Sequence, residues 1–146
     1  MTRLCVVLVG RQMQQYFKNN FVTFLYDTQT RLGKAEWRGH LKGSELREAY
    51  LLVLDMIDRF SLTRWLADDR QMESIDPADL QWSLEVFVPR IAKSSLLRMA
   101  RLPSRFDENR QAVKQMIVKG HTFDLDLVLC DFSDEQEAMA WLMEPL

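Results

Sequence analysis

Two adjacent carboxylates and an arginine, Asp68-Asp69-Arg70, follow the short apolar run Leu62 to Ala67. In an open α/β sheet the carboxyl end of a central strand is where ligands and partners most often meet the fold. Such a trio suits recognition of a charged partner, a metal, or proton transfer. Neighbouring side chains on an extended chain point to opposite faces, however, so Asp68 and Asp69 do not readily share one ligand. The plainer alternative is a structural loop in which Arg70 pairs locally and Asp68 accepts loop amides.

Other chemistry-bearing residues are scattered. His40 falls on the polar face of a strand pattern and His121 follows Gly120, and neither stands beside a nucleophile. Asp124 and Asp126 share one strand face, but two carboxylates without further oxygen ligands make a poor calcium or magnesium site. No glycine-rich phosphate loop, HExxH, GxSxG or paired CxxC occurs. No catalytic residue, metal or cofactor is therefore expected. Pro89-Arg90 offers a planar guanidinium for a carboxylate partner, or a solvated arginine on a kinked helix. Trp65 and Trp82 are either exposed interface anchors or core filling under helices.

Composition narrows the classes. The 146 residues, 47% hydrophobic, are enough for one domain with a real core. With 19 basic against 21 acidic side chains and a net charge of -2, no global field holds a polyanion, so nucleic acid is not an expected partner. Cys5 and Cys130 lie in apolar runs and read as small hydrophobes in a reducing, cytoplasmic setting. The run Leu4 to Val9 is shorter than an export-signal core and gives way to the polar Arg11 to Gln15. It reads as an added edge strand or an ordered arm over residues 1–13, before a single domain over 14–146. No stretch approaches the roughly 20 apolar residues of a membrane span.

The elements follow from periodicity. Phe21 to Tyr26 is aromatic and β-branched, Asp27 to Gly33 supplies a turn, and Ala35, Trp37, Gly39 and Leu41 alternate with Lys34, Glu36, Arg38 and His40. This predicts a hairpin whose second arm is an antiparallel or edge strand. A helix is expected from Ser44, as cap, to Phe60, with Leu46, Ala49, Tyr50, Val53, Ile57 and Phe60 as its apolar stripe. Leu62 to Ala67 is the next strand. Asp76 and Pro77 open a second helix that buries Leu80, Leu84, Phe87, Val88 and Ile91, and Pro89 should kink or end it. Leu96 to Leu102 is a strand interrupted by Arg98 and Arg101. A helix from Asp107 to Val118 is expected to stop at a left-handed Gly120. Thr122 to Cys130 is the last strand, and a capping box of Ser133 with Gln136 starts the final helix, with Ala138, Trp141 and Leu142 inward. Hairpin followed by alternating helices and strands predicts an α/β fold: a mixed, mostly parallel sheet with an N-terminal antiparallel hairpin and about four helices.

That order resembles the STAS-like, or SpoIIAA-like, domains, and within them the small bacterial STAS-domain-like proteins of unknown function. The resemblance covers roughly Gln14 to Leu142. It is carried by Ala35-Glu36-Trp37-Arg38-Gly39, Trp65 to Arg70, Ile75 to Trp82, Pro89-Arg90, and Phe132-Ser133-Asp134 with Ala140-Trp141-Leu142. It implies a fold and a habit of protein contact rather than a reaction. Antagonists of anti-sigma factors in the wider superfamily are switched at a Ser or Thr following an Asp. Here Asp68 is followed by Asp69, Arg70 and Gln71, with Ser74 the nearest hydroxyl, so the switch does not carry over. The CRAL-TRIO lipid carriers look similar in sheet topology but need a larger cavity and extra helices.

The leading expectation is a non-enzymatic interaction domain that binds a protein partner or itself as a homodimer. Its contact face would comprise Asp68, Asp69, Arg70, Met72, Trp82 and Arg90, and the edge hairpin is a second surface. The alternative is a small-molecule or lipid-binding domain with an apolar cleft between helices and sheet. An exposed Trp65 or Trp82 favours the first; an apolar pocket lined by Met56, Met99 or Met116 favours the second. Convergent polar groups with perturbed pKa values would point to an enzyme.

Overall fold

Val22, Phe24, Ala35 and Trp37 are buried and in register across the predicted hairpin, β2 (Val22–Asp27) with β3 (Leu32–Gly39). Its turn is closed by the Asp27 carboxylate, which accepts from the Gln29 N–H at 3.1 Å and the Thr30 hydroxyl at 2.6 Å. The computed structural model describes residues 13–146, so Cys5 and the run Leu4 to Val9 lie outside the described residues. One expectation is corrected here. A further strand, β1 (Gln14–Lys18), pairs antiparallel outside β2, so the hairpin is not the edge of the sheet. A register shift between Gln15 and Phe17 lets the consecutive Tyr16 and Phe17 both pack on the core. That break in alternation hid the strand from a period-two reading.

The sheet continues through β4 (Arg64–Met72), β5 (Arg98–Leu102) and β6 (Val128–Asp131), and the six strands of the described residues lie in chain order. β3 through β6 pair in parallel, which gives the mixed, mostly parallel sheet expected. β4 runs five residues beyond Ala67, so Asp68, Asp69 and Arg70 belong to the strand and not to a loop after it.

The first helix, α1 (Ser44–Phe60), has the predicted bounds and buries Leu46, Ala49, Tyr50, Val53, Met56 and Ile57. Its cap differs. Gly43, at φ 61°, is the N-cap, and its N–H donates to the Asp79 carboxylate at 2.8 Å, while Ser44 is already helical. Asp79 is buried and also accepts from Arg47 at 3.2 Å, which ties the start of α1 to α2 (Pro77–Trp82). Asp76 precedes Pro77 as expected, but its side chain meets His40 Nε2 at 2.8 Å instead of capping the helix.

Pro89 neither ends nor sharply interrupts this helix. A π-helical turn, Ser83–Phe87, widens the rod just before it, so the Val88 N–H bonds to the Ser83 carbonyl and α3 (Val88–Ala92) continues. The wider turn accommodates a ring that would strike the Glu85 carbonyl in a regular α-helix. α2, the π turn and α3 thus make one rod, the second of four among the described residues.

α4 spans Asp107–Gly120. Gly120 is not the left-handed stop expected: it is the last helical residue, and the cap, His121, is right-handed at φ -67°. The last strand is also shorter than expected, beginning at Val128, because residues 122–127 pair with no strand among the described residues. α5 (Glu135–Leu142) is capped by Asp134, which accepts from the Glu137 N–H at 3.2 Å, so Ser133 is not the cap.

The sheet separates two cores. α1, the α2–α3 rod and α4 cover one face around Phe24, Trp37, Tyr50 and Trp65. α5 covers part of the other, where Ala138 and Leu142 meet Leu66, Ala100 and Leu102. Arg98 holds the C-terminal tail on that second face, donating to the carbonyls of Glu144 at 2.6 Å and Pro145 at 2.7 Å.

Candidate functional site

Alternation along β4 and β5 decides which side chains meet. Trp65, Ala67 and Asp69 point to the helical layer, as do Met99 and Arg101 of the adjoining strand. Leu66 and Ala100 point to α5, and so does Asp68. Opposite Trp37 the β3–β4 register shifts, so that Asp69 and Arg70 occupy the place of one residue. A bulge of this kind re-aims side chains at a strand end.

Between the sheet and the helices lies a cleft of about 130 Å³. Trp37, Tyr50, Trp65 and Phe87 form its aromatic wall, and Met99 and Met116 its flexible one. Ile91 and Ala92 of α3, His121 after α4, and Leu125 on the way to β6 frame the mouth. A cavity of roughly 150 Å³ lined by apolar side chains takes a benzene molecule, so this space suits a group of about that size.

Its floor is polar. Asp69 Oδ2 lies 3.7 Å from Arg101 Nη2, and Arg101 Nη1 donates to Asp131 Oδ1 at 3.0 Å. Both Asp69 and Arg101 are buried. Burial pushes the Asp69 carboxyl up to about 6; Arg101 opposes the rise and the neighbouring Asp68 adds to it. The Tyr50 hydroxyl is raised by burial and by the charge of Asp69.

The other face carries a surface ion network. Arg70 grips Asp68 with two side-chain hydrogen bonds, of 2.9 and 2.8 Å, and reaches Glu135 at 3.2 Å. Lys34 joins Glu135 at 2.9 Å and Glu36 at 3.0 Å. Burial raises the Asp68 carboxyl, but the Arg70 hydrogen bonds outweigh it and leave Asp68 below its ordinary value.

The six residues expected on one contact face are therefore distributed over three places. Asp68 and Arg70 sit on the α5 face. Asp69 and Met72 are interior: Asp69 is 7% exposed and Met72 2%. Trp82 packs on Tyr50 in the opposite layer, with Arg47 5.8 Å above its ring, and Arg90 is exposed on α3. The residues do not make one contiguous face: along the extended β4, Asp68 and Asp69 leave on opposite sides, the bulge at Asp69–Arg70 returns Met72 to the interior, and Trp82 and Arg90 belong to the helical rod. Trp65 is core. Of the three methionines, Met99 and Met116 line the cleft, whereas Met56 is buried away from it. Asp124 and Asp126 are exposed, and no group of three metal-ligating side chains forms among the described residues. Arg101 was the residue whose part sequence reasoning did not assign. Its signal was a basic residue near the end of an otherwise apolar strand stretch, where a charge needs a buried partner.

No protein-family model matches the chain, and no curated protein matches it. Solved structures do. One is an uncharacterised protein of the DUF3478 family with a SpoIIAA-like fold from Shewanella loihica PV-4, 14% identical, covering 89% of this chain and 91% of that one with a TM-score of 0.50. Another is SiaC of Pseudomonas aeruginosa, 9% identical, covering 82% of this chain and 98% of that one at a TM-score of 0.48. The chain has the SpoIIAA-like fold. No helix among the described residues is long and apolar enough to cross a membrane.

Proposed function

We propose that this chain is a non-enzymatic binding domain that holds a small apolar molecule in the cleft between the helical layer and the β4–β5 floor. The observation that carries this reading is the cleft itself, an apolar cavity of about 130 Å³ with Met99 and Met116 in its wall and Asp69 with Arg101 at its base. Ligand sites have this composition, mostly apolar with a few placed polar groups. Flexible methionines let such walls adapt to the occupant.

Titration of the purified chain with benzyl alcohol, followed by the fluorescence of Trp37 and Trp65, tests the reading. Saturable change that is lost in Ala92→Phe, which fills the mouth, supports it. A linear response, or one unaltered by Ala92→Phe, contradicts it.

A protein partner or a second copy of the chain is a second reading, and the edge of β6 favours it. Among the described residues no strand pairs with its outer flank, and Val128 there is 55% exposed beside Leu97 at 36%. Open edges invite pairing. Light scattering across a concentration series checks self-association: mass that doubles with concentration and stays monomeric in Val128→Lys supports pairing at β6. Equal masses for the two proteins at every concentration count against it.

A further inference from the structure

The floor of the cleft has an unpaired side to its chemistry. The contact of Asp69 with Arg101 is a long ion pair, 3.7 Å from Oδ2 to Nη2, beyond the length of a good hydrogen bond. Arg101 is already engaged by Asp131 at 3.0 Å. One guanidinium thus stands between two carboxylates, and the floor is negative whenever Asp69 is ionised. With only this long ion pair, the buried carboxylate keeps acceptor capacity that a donor entering the cleft can fill.

We propose that the cleft selects a small apolar amine, an aromatic or branched-alkyl group of about benzene size with one ammonium head, and that Asp69 accepts the hydrogen bond from that head. The proposal rests on the reading of the cleft as a ligand site and adds the ligand's charge. An anionic head would face Asp69 and find Arg101 held by Asp131. A cationic head completes the floor and lies among the faces of Trp37, Tyr50, Trp65 and Phe87, whose quadrupoles also attract it.

Protonation of Asp69 removes the acceptor charge. The charged and titratable groups around Asp69 are Tyr50 of α1, Asp79 of α2 beside Tyr50, Arg101 of β5, Asp131 of β6, His121 at the end of α4, and Asp68 on its own strand. The amine should therefore bind above the range in which Asp69 takes up its proton and weaken below it.

Calorimetric titration with benzylamine, benzyl alcohol and benzoate tests this in the parent and in Asp69→Asn. In the parent benzylamine is expected to bind about tenfold more tightly than benzoate at about pH 7.5, and to weaken about tenfold by about pH 5, following the Asp69 charge. Asp69→Asn should lose that preference and that pH dependence. Retained benzyl alcohol binding in Asp69→Asn shows that the variant is folded. If benzyl alcohol binds but benzoate equals benzylamine, or Asp69→Asn leaves benzylamine unchanged, the amine assignment falls and the cleft stands. If none of the three probes binds, the cleft reading falls with it.

Discussion

Asp69 and Arg101 face each other across adjacent parallel strands, 3.7 Å apart, at the base of an apolar cleft. Asp68, one residue earlier, points the other way and is gripped by Arg70. Two neighbouring carboxylates of one strand thus have opposite fates: one is buried and raised, the other half-buried and lowered. Extended backbone separates them, and each face then sets its own electrostatics.

The raised Asp69 makes stability depend on pH with a definite sign. Its folded value of about 6 stands above the ordinary 3.8, so the folded chain holds this proton more tightly than the unfolded one. The stabilising effect is full below the unfolded value and is lost as pH rises through the folded one. Urea unfolding from pH 4 to 7 should therefore show Asp69→Asn gaining about 2 to 3 kcal/mol on the parent as pH rises, on top of any fixed offset from the lost ion pair. A difference between the two proteins that stays constant with pH would show that Asp69 is ordinary.

Gly33 marks a close approach of two strands. A Cβ there would stand 2.3 Å from the Trp65 ring and 2.8 Å from Leu62 Cδ1, and both neighbours are buried. Gly33→Ala is expected to cost about 1 to 3 kcal/mol in denaturant unfolding. Because Trp65 also lines the cleft, its fluorescence maximum should shift as well. Parent-like stability and emission would mean that the ring has room to move.

The Arg70 network is a surface feature and should behave as one. Arg70 is 44% exposed at its side chain, and exposed pairs contribute little. Arg70→Ala and Arg90→Ala should each change unfolding stability by less than about 1 kcal/mol. If either nonetheless abolishes recovery of a stoichiometric partner from the source cell, that residue belongs to a contact surface.

Much of this fold was legible because local signals agreed. The bounds of α1 follow from its apolar stripe, and the β2–β3 hairpin from turn residues and alternation. What was not legible depended on tertiary neighbours. Gly43 replaces Ser44 as cap because Asp79, 36 positions along, takes its N–H. Pro89 stays within a helical rod because the preceding turn widens. Asp69 was legible as a residue of interest but not as a buried one, since the extension of β4 to Met72 is set by pairing with β3. Arg101 gained its meaning only when β4 and β6 were placed on either side of it.

The most direct test of the cleft is methyl NMR of methionine-labelled protein titrated with benzyl alcohol. Met99 and Met116 line the cleft, while Met56 is buried elsewhere in the same core and serves as an internal control. Saturable shifts and ligand-to-methyl Overhauser effects at Met99 and Met116, with Met56 unmoved, are the result expected. Effects that appear equally at all three methyls, or at none while the ligand is in excess, would contradict the assignment of this cleft as the binding site.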